Sequence, residues 1–337
     1  MTLRSAIHLA SALVAASLAS ATLLVAQGTP KDYAAPRTPW GDPDLQGKWP
    51  GTDLVGVPLQ RDPKFGTRNR LTEEEFKARQ EQFAKQEVTD DADFDPDHPV
   101  GNPGDVGSPT SPPPHWLERG KPQYIASLIV DPPDGRMPPD TPDAQQRTAA
   151  AAAARRGRGP ADSYTDRSLY DRCITRGVAG SMLPVIYNNG NEIVQGPGYV
   201  VLRNEMIHES RVVALDGRPH PGPNVTSWMG DSHGHWDGDT LVVETTNFDP
   251  RTSGIGANGG GRISEALKII ERITRVSANL LVWRMTFDDP KTWTRPFTLE
   301  LPLRRDDSYG MFEYACHEGN YALRNILSAA RAEERGR

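Results

Sequence analysis

The chain has no cluster of basic residues, no second long apolar run and only two cysteines. It also carries none of the familiar catalytic or nucleotide-binding fingerprints. Lys and Arg number 38 against 44 Asp and Glu, a formal charge of −6, and the positive residues track no single face. That argues against nucleic acid and against an anionic membrane surface as partners. Outside the first 26 residues no apolar segment approaches the ~20 residues of a spanning helix. There is no GxSxG elbow and no Rossmann fingerprint. The glycine-rich stretch 255–262 (IGANGGGR) lacks the lysine and the strand-to-helix setting of a phosphate loop, so it reads as a flexible loop. No internal repeat is present. Glycine and proline are abundant, at 31 and 30 of 337 residues. That share exceeds the ~12% of an average chain and predicts much irregular backbone.

The first 26 residues hold one arginine and no acid, then an Ala/Leu/Val stretch ending Leu24-Val25-Ala26. Small or apolar residues at those positions are what a signal peptidase reads, so residues 1–26 are expected to be a cleaved signal peptide. A membrane anchor is the alternative reading. Export to the periplasm or beyond follows, with no membrane association after cleavage.

Residues 27–160 read as a Pro/Gly-rich strap. Within it, Thr72 with Glu75 three residues on forms a capping-box signature and predicts a helix near 72–88. PPPHW at 112–116 suits polyproline II. The run 131–142 (DPPDGRMPPDTP) argues against regular structure, and the Ala/Arg-rich segment after it is low-complexity. YIASLIV (124–130) is a candidate strand.

From 161 to 337 the texture is β-rich. Leu281, Trp283, Met285 and Phe287 alternate with more polar neighbours, as do Phe297, Leu299, Leu301 and Leu303, the period of antiparallel strands with one buried face. Asp237-Gly238-Asp239 reads as a hairpin turn. Leu323, Ile326, Leu327 and Ala330 share one face of a C-terminal helix at 321–334. The expected fold is mainly β: an antiparallel, lipocalin-like barrel holding a ligand inside, with that helix outside and the strap across a mouth. A β-sandwich is the alternative. Strap and barrel are expected to form one continuous domain.

The chemistry concentrates in residues 313–321, EYACHEGNY, read as the end of the last strand. In an exported protein Cys173 and Cys316 most simply form one disulfide. A free Cys316 nucleophile beside His317 would need a depressed thiol pKa and a reducing environment. Candidate catalytic or ligand-binding residues are His317, Glu318, Glu313, His208, Arg211 and Glu244. They are ionisable groups set among apolar strand residues, where charge is costly unless paired or functional. The other reading is a solvated face or structural ion pairs, such as Glu271 with an arginine. His233 and His235 would share one face of an extended chain, yet HxH in loops is common without metal, so neither a metal nor another cofactor is expected.

Seven stretches taken together carry a resemblance: DPDLQGKW, LIVDPPDGRMPP, DRSLYDRC, NEIVQGPGYVVLRNEMIHESRVVALDGRPH, GDSHGHWDGDTLVVETTNF, DDPKTWTRPF and EYACHEGNY. The chain resembles a large group of secreted bacterial proteins from about Pro36 to Glu334, apart from the Ala/Arg insert. The resemblance implies export and one continuous domain and carries over no catalytic residue. Two functions remain open from sequence. One is an exported small-molecule-binding protein. The other is a cofactor-free acid/base enzyme (isomerase, hydratase or lyase) using His317 with Glu318 or Glu313, His208 or Arg211 stabilising negative charge.

Overall fold

The computed structural model describes residues 33–90, 117–255 and 260–336. The expected signal peptide at 1–26, the polyproline stretch at 112–116 and the tip of the glycine-rich loop lie outside them.

The described residues form twelve strands, and the long ones, β10 to β12, have apolar residues recurring every second position. β1 is Gly47–Lys48, β2 Ile129–Asp131, β3 Asn191–Gly196, β4 Tyr199–Asn204, β5 Ser210–Ala214 and β6 Asp231–Asp237. β7 is Thr240–Thr246, β8 Ser253–Ile255, β9 Gly260–Arg262, β10 Lys268–Ser277, β11 Leu280–Asp288 and β12 Phe297–Arg304. Ten of them make one sheet in the order β1-β3-β4-β5-β6-β7-β10-β11-β12-β2, and β8 pairs with β9 apart from it. All neighbours in the large sheet run antiparallel except β5 and β6, whose parallel bridge joins Ala214 to His233. The β6–β7 hairpin closes on Gly238-Asp239, with Asp237 opposite Thr240. Gly238 sits at φ 60°, the left-handed backbone that a two-residue hairpin asks of its first residue.

The fold is mainly β, as the alternation predicts. The sheet curls into a half-barrel whose edges are β1 and β2. Its inner face is a packed core. Trp283, Phe287, Phe297, Leu299 and Leu301 are all at most 1% exposed. Phe297 stacks on Phe287 and takes the edge of Trp293, both at 5.0 Å. The strap fills the open side with Leu45, Trp49, Leu54 and Val57, which belong to the same core cluster. A ligand inside the sheet, expected from the lipocalin analogy, would have to lie among these buried side chains.

Among the described residues four α-helices decorate the sheet. α1, Glu73–Asp90, starts on the predicted capping box. Glu75 N donates to Thr72 Oγ1 at 3.3 Å, and Thr72 N donates to Glu75 Oε2 at 2.7 Å. α2, Pro142–Ala154, begins inside the run that argues against regular structure. Its proline occupies the first helical position, where a missing N–H costs nothing, and Thr141 caps it. α3 is the short buried turn Gly177–Gly180. α4, Ala322–Arg335, keeps Leu323, Ile326, Leu327 and Ala330 half-buried on one face.

The motif EYACHEGNY is not strand. The last strand ends at Arg304, and 313–321 is irregular. Its backbone closes on itself, Ala315 N to Glu313 O at 3.0 Å and Cys316 N to Tyr314 O at 2.8 Å, so no ladder can continue through it. It is tethered instead by the Cys173–Cys316 disulfide, which spans 143 residues.

Candidate functional site

Outside the core, the segment after β12 folds back over the turn that follows β4 and the residues that precede β3. Between them lies a cleft of about 960 Å³ whose walls include Glu118, Tyr187, Asn188, Glu205, Tyr309, Phe312, Glu313, Tyr314 and Cys316. Phe312 is 72% exposed at its edge.

Backbone strain concentrates here. Among the described residues five non-glycines adopt positive φ: Cys173, Asn188, Ile207, His208 and Asn247. The first four lie at the cleft or directly behind it. Ile207 is the most demanding, because a β-branched side chain is rarely tolerated at φ 54°. The kink at Ile207 and His208 aims three neighbours in different directions. Glu205, 1% exposed, enters the cleft. His208 Nδ1 lies 2.8 Å from Tyr314 O and therefore donates to it. Glu209 turns inward to accept from Thr175 and Ser181 hydroxyls. Strained backbone held by its surroundings is characteristic of functional sites.

Two carboxylates anchor the deep end. Glu205 accepts from Asn188 Nδ2 and Phe312 N, each at 3.0 Å, and from Gly190 N at 3.1 Å. Glu118 accepts from Thr52 Oγ1 at 3.0 Å, Asn188 N at 2.6 Å and Asn189 Nδ2 at 2.9 Å. Tyr309 Oη stands between them, 2.8 Å from Glu118 and 2.7 Å from Glu205. Its single proton can serve only one carboxylate at a time. Burial first, then the two carboxylates, push the Tyr309 phenol far above its usual range, so it stays neutral. Gly190 is required by contact: a Cβ there would meet Met311 Sδ at 2.3 Å and Glu205 Oε2 at 2.7 Å.

Tyr187 and Tyr314 in the cleft wall join Tyr170 behind them in a tyrosine trio. Tyr170 Oη is 2.9 Å from Tyr187 Oη and 3.0 Å from Tyr314 Oη. Burial raises all three phenols, Tyr187 to about 12. The Arg176 guanidinium lies over the Tyr170 ring at 4.8 Å. Its charge opposes that rise without cancelling it, and burial lowers Arg176 itself. The cleft therefore offers neutral hydroxyls and aromatic faces, suited to hydrogen bonding and stacking.

Glu209 is buried behind the cleft, on the Thr175 and Ser181 hydroxyls. Desolvation outweighs its hydroxyl donors and raises its pKa above the ordinary 4.5. Folding then favours the protonated form. Its contribution to stability is complete below pH 4.5 and is lost as pH rises through the higher folded-state value. We expect Glu209→Gln to flatten the fall in stability between pH 4.5 and pH 8. Denaturant midpoints across that range, wild type against variant, check this; parallel curves would contradict it.

The six sequence candidates do not converge. His208 and Glu313 sit at the cleft. Arg211 is in the core, paired with Glu271. Glu244 lies on the other face of the sheet, paired with Lys268 at 2.9 Å. His317 and Glu318 have exposed side chains that bond to no other described residue. Glu118, Glu205, Tyr187 and Tyr309 escaped sequence reading, because nothing local marks residues that meet across 104 and 191 positions. His220 escaped it too. It stacks on His233 with centroids 4.3 Å apart, whereas His235, its expected companion, is exposed.

Among the described residues no helix is long and apolar enough to cross a membrane. No family model, curated protein or solved structure matches the chain.

Proposed function

We propose that this is an exported small-molecule-binding protein whose ligand occupies the cleft between the half-barrel and the disulfide-tethered segment. One observation carries the reading: a cleft of about 960 Å³, walled by neutral tyrosines and edged by an exposed phenylalanine, beside the packed core. Concave sites lined by aromatic groups with a few fixed polar groups are the usual form of small-molecule pockets. The ligand class that fits has a flat or apolar body and several hydrogen-bonding groups. The disulfide is compatible with an oxidising compartment.

The enzymatic alternative, using His317 with Glu318 or Glu313, needs those groups gathered at one place. Glu313 lines the cleft while His317 and Glu318 are exposed, so the positions favour binding over acid/base catalysis.

Native mass spectrometry of the exported protein tests the reading. A small molecule should co-purify and be released on denaturation. Its occupancy should fall about tenfold or more in Phe312→Ala and in Tyr187→Ala, the scale expected for losing an aromatic anchor. An empty wild-type protein, or occupancy indifferent to both substitutions, would sink the proposal.

A further inference from the structure

We propose that His220, Asp231 and His233 form a binding site for one divalent cation of the zinc type on the outer face of the half-barrel. The site shares no residue with the cleft and stands independently of what the cleft binds.

Asp231 and His233 are two apart on β6, so both leave the sheet on one face. Ser232 and Gly234, between and after them, are buried on the other. His220 comes from the connection between β5 and β6 and lays its ring over His233, the planes 19° apart. His220 Nδ1 at 2.6 Å and His233 Nε2 at 3.0 Å approach the same oxygen, Asp231 Oδ2. One ligand atom from each residue lies within 4.8 Å of the other two.

Proton accounting makes this more than a cluster. His233 Nδ1 is 2.8 Å from Arg218 O. A carbonyl only accepts, so Nδ1 carries the hydrogen, and in the neutral ring Nε2 presents a lone pair. That lone pair faces a carboxylate oxygen, another acceptor. His220 has an acceptor at both nitrogens: Asp231 at Nδ1 and Glu244 Oε1 at 3.5 Å from Nε2. A single cation between His220 Nδ1, His233 Nε2 and Asp231 Oδ2 would draw on all three donors at once, and these atoms already converge on one point.

The surroundings fit that assignment. Metal-bound imidazoles commonly donate their other N–H to a backbone carbonyl or a carboxylate. Here Arg218 O serves His233, and Glu244 serves His220. Lys268 is paired with Glu244 and Arg218 with Asp216, so Asp231 is left with no Lys or Arg ion pair among the described residues. The loop behind His220 is pinned by Asn247 Nδ2, which donates to Pro221 O, Gly222 O and Val225 O at 3.2, 3.0 and 2.9 Å. Asn247 is the one strained residue remote from the cleft, at φ 57°. Metal bonds of ~2.0–2.1 Å set donors somewhat farther apart than 2.6 Å. A small rotation of the half-exposed Asp231 provides that.

Two imidazoles and one carboxylate suit zinc, copper(II) or nickel and are a poor match for calcium or magnesium, which prefer oxygen. Three protein ligands leave a fourth position open to water or a ligand atom.

The test uses tag-free, full-length exported protein, stripped with chelator and dialysed against zinc. Elemental analysis after gel filtration should find one zinc per chain, and cobalt(II) should give visible absorption of a low-coordinate site. Zinc affinity should fall at least tenfold in His220→Ala, His233→Ala and Asp231→Asn and stay unchanged in His235→Ala. Asp231→Asn guards against loss of fold, since it conserves shape. Failure of the wild type to retain zinc would overturn the assignment. So would stoichiometric zinc that survives the His220→Ala/His233→Ala double variant, or that depends on His235.

Discussion

Glu271→Ala should destabilise the folded protein by about 3–5 kcal/mol, the cost of leaving a buried charge without its partner. The Arg211 and Glu271 side chains are 3% and 0% exposed and form a two-pronged pair, Nη1 to Oε2 at 2.6 Å and Nη2 to Oε1 at 2.9 Å. Trp283 Nε1 donates to Glu271 Oε1 at 2.9 Å, and the Ser232 and Thr245 hydroxyls lie beside the guanidinium. Removing the carboxylate strands both the cation and the indole N–H. Arg211→Met alone should cost a similar amount. Arg211→Met combined with Glu271→Leu should recover most of the loss, because apolar residues of like volume avoid the desolvation of both ions. Urea denaturation of the two singles and the double checks this as a mutant cycle. Single variants within 1 kcal/mol of wild type would show that the pair is not the buried cross-brace it appears in the fold.

Breaking the Cys173–Cys316 bridge should have an effect of comparable size, localised differently. Constraining a 143-residue loop corresponds to about 5 kcal/mol in the chain-entropy model, with engineered cases often delivering less. The sheet does not depend on the bond, since none of its ladders passes through Cys316. What depends on it is the segment after β12, which forms one wall of the cleft. Its other ties include hydrogen bonds: Tyr309 Oη on the two glutamates, Lys48 Nζ on Tyr309 O, Phe312 N on Glu205, Tyr314 on His208 and Tyr170, and Arg331 on the Ala161 and Asp162 carbonyls. Cys173→Ala/Cys316→Ala should therefore lower the denaturation midpoint and abolish cleft binding, while amide exchange rises first at 309–335 and stays slow in β10 and β11. Uniform loss of protection across the sheet would contradict this division. So would no change on reduction.

These two predictions divide what could be read locally from what could not. The strands at 280–288 and 297–304 declare themselves through strict alternation, because one face of the sheet is buried and the other is not. The Thr72–Glu75 cap is equally local, as both partners lie within one turn. The disulfide was legible for a different reason: two cysteines allow only one pairing. The charges misled. Arg211 and Glu244 look alike in sequence, each an ion among β-formers, yet one points into the core and the other away from it. EYACHEGNY looked like a strand carrying reactive groups, and its self-closing backbone makes it a tether.

Sequence alone determined the mainly β character, the amphipathic C-terminal helix, the bridge and the lack of a basic cluster or a second long apolar run, because each depends on neighbours or on simple counting. Only the tertiary structure decided that the half-barrel is filled and that a cleft lies beside it. It also decided that Glu118, Glu205 and Tyr309 meet there and that His220 stacks on His233. The curl of the sheet sets those facts. It carries Arg211 on β5 to Glu271 on β10 across three strand spacings, about 14 Å if the sheet were flat, and fills the inside with bulky side chains. The cleft is left to the segments at its edge, whose partners no local pattern encodes.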